Sequence, residues 1–211
     1  MANMALKRAA KANRRKAALA ERRKLDLLND LPAARILRAA AAPIRHCLVP
    51  TTLFQAGIGP VVLARGVRSN QLSLGVFLVD TWCLGVKDTH FRSIDGETFE
   101  MMMAGLNDTA PMSSVDPSYA RKLLREVTAW AASIGFAPHR DFAAIERLFG
   151  EVSANASDAT FQFGRGGEPT YISGPSESPA QIYLRYRQLR THLRLETLEL
   201  LELHGGQGTE S

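Results

Sequence analysis

The stretch PVVLARGVRSNQLSLGVFLVDTWCLGVKDTHF, Pro60 to Phe91, decides the fold. PVVLARGV and LSLGVFLVD are rich in β-branched and apolar residues and flank the polar RSNQ, which predicts an antiparallel hairpin. WCLGVKDTHF predicts a third strand that continues the meander. Further on, TFQF and TYIS flank GRGGEP and predict a second hairpin. The strands cluster at the middle and near the end without a β-helix-β rhythm, so the class is α+β: a small antiparallel sheet, meander plus later hairpin, packed with helices.

The helices announce themselves by caps and stripes. Asp116, Pro117 and Gly135 mark the start and stop of the clearest one. Its apolar stripe, Tyr119, Leu123, Val127, Trp130 and Ile134, steps by three or four and lines one face. Asp95 caps a short helix over GETFEMMMAG, which the loop NDTAPMSS follows. Another short helix runs from Asp141 to Gly150 and buries Phe142, Ile145, Leu148 and Phe149. A long C-terminal helix spans Pro179 to about Leu203, packed through Ile182, Tyr186, Leu189 and Leu193. Near the start, Asn29 or Asp30 caps a helix with Pro32 in its first turn and Ile36, Leu37 and Ala40 inside; it ends near Pro43 or runs kinked to Leu48. The division expected is a basic helical or disordered arm over 1–28, one domain over 29–204, and a frayed tail over 205–211.

Charge separates the arm from the domain. Residues 1–24 carry nine lysines and arginines against Glu21, a net of +8, while the remainder holds 17 basic and 20 acidic residues, a net of −3. The overall +5 therefore belongs to the arm, and such an arm attracts polyanions through counterion release. A solubilising tail is the plainer alternative. No apolar run approaches the roughly 18 residues of a membrane span, and the first residues lack the apolar core of a secretory signal. Their Arg and Ala bias partly resembles an organelle transit peptide, but they hold no serine. Cys47 and Cys83, the two cysteines, make no disulfide framework and no zinc-finger spacing, which fits a reducing cytoplasm.

Within Phe77 to Phe91 lies the densest set of reactive side chains. In one straight strand Asp80, Asp88 and His90 share a face, yet eight residues at roughly 3.3 Å each hold the aspartates about 26 Å apart. A chain reversal at Leu84-Gly85 would set Asp80 opposite Asp88, and with His90 they could then hold Mg²⁺ or Mn²⁺ for phosphodiester hydrolysis. Lys87 would face the other way. The competing expectation is core sheet, with Asp80 ending its strand in an Asx-type turn. Cys83 and His90 fall on opposite parities and lack an orienting third group, and His46-Cys47 reads as helix-end packing. GRGG, Gly164 to Gly167, sits between strands, which suits a hairpin turn better than a phosphate loop. Met101 to Met103 cannot all share one helical face, so they read as core filling or as an adaptable surface. In the C-terminal helix Arg185, Arg187, Arg190 and Arg194 precede Glu196, Glu199 and Glu202, an order that opposes the helix dipole.

FLVDTWCLGVKDTHF, GFAPHRDFAAIERLFG and FGRGGEPTYISGP together resemble an uncharacterised bacterial protein family over roughly residues 55–175. The resemblance implies a bacterial, cytosolic domain to which the basic arm is an addition, and it implies no activity.

The function expected is association with nucleic acid, RNA or a ribonucleoprotein, with low sequence specificity and no cofactor. The phosphate contacts would come from Lys7, Arg8, Lys11, Arg14, Arg15, Lys16, Arg22, Arg23 and Lys24, extended by Arg187, Arg190 and Arg194. Two alternatives stand beside it: a metal-dependent hydrolase or nuclease centred on Asp80, Asp88 and His90, and a protein–protein adaptor. No membrane partner is expected.

Overall fold

A computed structural model describes residues 32–193 except 69, 175 and 176, together with residues 19, 21 and 22. Its centre is the predicted meander. Strands β1 (Ile44–Pro50), β2 (Ile58–Arg68), β3 (Gln71–Asp80), β4 (Gly85–Ile94) and β5 (Met112–Ser114) form one antiparallel sheet in the order β4-β3-β2-β1-β5. Six α-helices pack with it: α1 (Pro32–Ala40), α2 (Leu53–Ala56), α3 (Gly96–Thr109), α4 (Pro117–Ser133), α5 (Phe142–Glu146) and α6 (Pro179–Leu193). The class is α+β.

β2 is the middle strand, and its run VVLARG is buried throughout because both sheet faces are covered. That two-sided burial explains why the run is continuously apolar and does not alternate. On one face Val61, Leu63, Phe77, Val79 and Val86 pack against Ile36 of α1, Leu123, Leu124 and Val127 of α4, and Phe142, Ile145, Leu148 and Phe149. Each large side chain buried there contributes about 1.5–3 kcal/mol. On the other face Val62, Ala64, Leu72 and Leu74 meet Phe99, Met102, Met103 and Leu106 of α3. A third, smaller cluster lies beyond the sheet: Cys83 and Leu84 of the β3–β4 turn join Ala131, Ile134, Phe136, Tyr171 and Leu189.

The caps act as their sequences predict. Asp95 accepts from the Thr98 amide at 2.7 Å, Asp116 accepts from the Ser118 amide at 2.7 Å, and Gly135 leaves α4 with a φ of 95°. α6 seats Leu189, with Ile182, Tyr186 and Leu193 beside it. Asn29, Asp30 and the expected stretch of the C-terminal helix beyond 193 lie outside the described residues.

Five expectations are corrected. The first helix does not run on to Leu48: α1 ends at Ala40, and Ile44–Pro50 is β1, with Cys47 and Val49 buried as alternate residues. The alanine run before Pro43 masked that alternation. His46 stacks on Phe99 with ring centroids 4.5 Å apart, so it belongs to a strand and not to a helix end. NDTAPMSS is not one loop, since α3 continues to Thr109 and Met112–Ser114 is β5, paired to β1. The second hairpin keeps only its turn: residues 157–164 and 169–174 are irregular, and a single bridge joins Arg165 to Glu168. TFQF spends its aromatics on packing, because Phe161 and Phe163 lie against Phe54, Tyr119 and Trp130. Leu37, expected inside, is 47% exposed.

Glu146 ties α5 to α4. Its carboxylate accepts from Arg121 Nε at 2.6 Å and Arg125 Nε at 2.8 Å, and Arg121 also donates to the carbonyls of Gly150 and Val152. Burial by itself would raise the Glu146 carboxyl, but the Arg121 and Arg125 hydrogen bonds outweigh it and hold the group below the usual glutamate value of 4.5. A depressed folded pKa gives stability that is complete above the unfolded value and disappears as pH falls through the folded one. Denaturation midpoints should therefore decline below about pH 4.5, and Glu146→Gln should flatten that decline while lowering stability at pH 7.

Gly85 opens β4 with a φ of 68°, and a Cβ there would stand 2.7 Å from Ala131 Cβ and 3.2 Å from the Val127 carbonyl of α4. Gly85→Ala should cost about 2–4 kcal/mol in urea denaturation, from a left-handed backbone and overpacking together.

Candidate nucleic-acid interface

Of the arm residues expected to meet phosphate, Arg22 is described and exposed; Lys7, Arg8, Lys11, Arg14, Arg15, Lys16, Arg23 and Lys24 lie outside the described residues, as does Arg194. Arg187 and Arg190 are exposed on α6. Arg185 is held in an ion pair: its Nε donates to Glu177 at 2.9 Å, and Glu177 also accepts from the Tyr171 hydroxyl at 3.0 Å. The early arginine of that helix is thus held by a carboxylate just before the helix starts.

The condition set on Asp80 and Asp88 is met in part. The chain reverses over residues 81–84, but the register pairs Asp80 with Gly85 and Asp88 with Leu78, across an irregularity between Leu78 and Val79. Asp80 is therefore not opposite Asp88. Its Oδ1 accepts from the amides of Trp82 at 3.0 Å and Cys83 at 2.8 Å, the Asx-type turn that was the competing expectation. Asp80 is only 6% exposed, and burial raises its pKa despite those two amides. Cys83, also fully buried, has its thiol pushed up to about 12 by burial and then by Asp80. Neither is presented to a substrate.

Asp88 has different company. Its Oδ2 lies 2.9 Å from His90 Nε2 and its Oδ1 3.6 Å from His139 Nε2, while His139 Nδ1 lies 3.0 Å from Thr89 Oγ1. His139 is a residue that sequence reasoning missed. It sits in the loop after α4, 50 positions from Thr89, and is brought there by its amide bond to the Val86 carbonyl on the β4 edge. No local pattern announces such a contact. The series Thr89–His139–Asp88 has the order of a nucleophile, a base and an orienting acid. Thr89, however, is 4% exposed, so its hydroxyl has no access to an external substrate. Among the described residues no group of three His, Cys, Asp or Glu side chains is arranged to hold a metal ion.

The described domain has one strongly basic end. α1 carries Arg35 and Arg38, and the β2–β3 hairpin carries Arg65 and Arg68. Arg45 of β1 donates to the carbonyls of Gly66 at 2.8 Å and Val67 at 2.5 Å, while Arg35 Nη2 donates to Ser93 Oγ at 3.4 Å. Arg92 of β4 lies nearby on the α3 face, 3.4 Å from Met102 Sδ. α1, which carries two of these arginines, is the first helix of the domain in chain order. At the opposite side Arg165, in the GRGG turn, lies over Trp82 at 5.3 Å, and Gly166 and Gly167 supply the positive φ the turn requires.

No protein-family model, curated protein or solved structure matches the chain. No helix among the described residues is long and apolar enough to cross a membrane.

If Asp80 serves the turn, its acceptor oxygen matters and its charge does not. Asp80→Asn should stay within roughly 1 kcal/mol of the parent, whereas Asp80→Ala leaves two amides unpaired and should cost about 2–4 kcal/mol. Urea denaturation of both variants at pH 7 measures the difference.

Proposed function

We propose that the protein associates with nucleic acid, RNA or a ribonucleoprotein, through the basic arm and the arginine-bearing end of the domain. The observation that carries this reading is the charge partition: residues 1–24 hold +8 while the rest of the chain holds −3. Charge so concentrated binds phosphate backbones by releasing counterions, with affinity that falls steeply as salt rises. Arg35, Arg45 and Arg68 add exposed cations near α1, Arg92 adds one on the α3 face, and Arg187 adds another on α6. Phosphate contacts of this sort position a nucleic acid without reading its sequence. The partly buried aromatics pack on one another and on the core, so specificity stays low.

The hydrolase reading retains only the Asp88–His90 pair of its three residues, since Asp80 is engaged by the turn. Of the Met-rich helix that the adaptor reading invokes, Met101 is 63% exposed on α3.

Removal of residues 1–24 should abolish co-purification of nucleic acid and flatten the salt dependence of binding to a short oligoribonucleotide. Equal binding by the truncated chain would sink the proposal. A stoichiometric protein that remains bound after nuclease treatment would favour the adaptor instead.

A further inference from the structure

Arg65 is the least explained residue of the fold. The residue is 7% exposed, and no carboxylate of the described residues stands within 4.0 Å of its guanidinium. Nη1 donates to the Ala42 carbonyl at 2.5 Å and Nη2 to the Phe149 carbonyl at 2.6 Å. Nε is buried and has no partner. Two carbonyl dipoles offset part of the charge, but a buried cation ordinarily has an anion, and an orphaned buried donor asks for a missing group. Burial correspondingly lowers the Arg65 pKa.

What surrounds Arg65 suits such an anion. Arg65 pairs with Ser73 across β2–β3, and Ser73 pairs with Ser93 across β3–β4, so the three stand in one row on one sheet face. They line a recess of about 230 Å³ whose rim includes Arg68 and Gln71. Arg35 closes the β4 end of the row through Ser93. Against this recess lies a second, of about 500 Å³, which shares Arg68, Gln71 and Ser93 and adds Asn70, Asp95 and Thr98. Two guanidinium groups, two hydroxyls and an amide, with no carboxylate among the residues that line this recess and Asp95 in the neighbouring one, make a donor-rich setting for a tetrahedral oxyanion.

The geometry points to a discrete phosphate site in the Arg65–Arg68–Ser73–Ser93 recess, which takes one phosphate group of the bound nucleic acid and seats the attached nucleotide in the larger recess beside it. This rests on the nucleic-acid reading above, but it assigns a fixed contact on the folded domain where that reading relies on the arm. Arg65 supplies the buried charge, Arg68 the exposed one, and the serines hydrogen-bond the oxygens.

The test uses the full-length chain, with inorganic phosphate and a short oligoribonucleotide as separate probes. Phosphate should shift the amide resonances of Ser73, Ser93 and Gly66 saturably. Arg68→Gln combined with Ser73→Ala should weaken phosphate binding at least tenfold and oligoribonucleotide binding several-fold, while Arg140→Gln, an exposed arginine outside the recess, leaves the phosphate affinity unchanged. Both altered side chains lie outside the cores, so folding is preserved where Arg65 variants would endanger it. Shifts confined to residues 1–24 would overturn the site. Weakened phosphate binding with unaltered oligoribonucleotide affinity would overturn its assignment to nucleic acid. Loss of oligoribonucleotide binding on arm removal, together with phosphate shifts that persist, would uphold the site and the arm as separate contacts. Oligoribonucleotide binding that survives arm removal but not the double variant would sink the arm's role and leave the recess standing.

Discussion

The β3–β4 turn, residues 81–84, is the junction on which the rest of the structure depends. Asp80 fixes its shape through the Trp82 and Cys83 amides. The turn then organises chain remote from it: Thr81 donates its amide to the Gly57 carbonyl and accepts from the Gly164 amide, and the Trp82 carbonyl accepts from Thr170. Trp82 Nε1 donates to the Phe54 carbonyl. Helix α2 with its terminal Gly57 and two otherwise irregular segments are thereby anchored to one tight reversal. Cys83 and Leu84 point from the same turn into the small cluster that receives α6. A carboxylate that invites a catalytic interpretation is occupied in holding the molecule's connectivity.

The meander was legible because its strands are long, β-branched and bounded by polar residues, and the same holds for α4 with its cap, its stripe and its terminal glycine. The failures share a cause. β1 and β5 are short strands whose pairing partners lie far away in sequence, so nothing local distinguishes IRHCLVP from a helix end or MSS from a loop. TFQF alternates as a strand would, yet its aromatics are claimed by Phe54, Tyr119 and Trp130 and its backbone joins no sheet. Tertiary packing there overrides a local pattern.

Functional residues show the same division. The charge of the arm can be counted along the chain. The row of Arg65, Ser73 and Ser93 cannot, because it is created by the register of three strands. An arginine within VVLARG reads as an interruption of a buried strand. Only the covering of both sheet faces makes it a buried charge, and only the strand register sets two serines beside it. His139 likewise acquires Asp88 and Thr89 as neighbours through one main-chain bond to the β4 edge.

The two cysteines acquire a meaning from where the cores fall. Cys47 lies in the principal cluster beneath the sheet and Cys83 in the small one beneath α6, each free and buried, with burial pushing each thiol up to about 12. Neither thiol is reactive in the closed protein. Each becomes modifiable only when its own surroundings open. The chain thus carries a built-in pair of labels, one for each packing unit, whose relative rates of modification tell whether the C-terminal helix can peel away while the sheet stays intact.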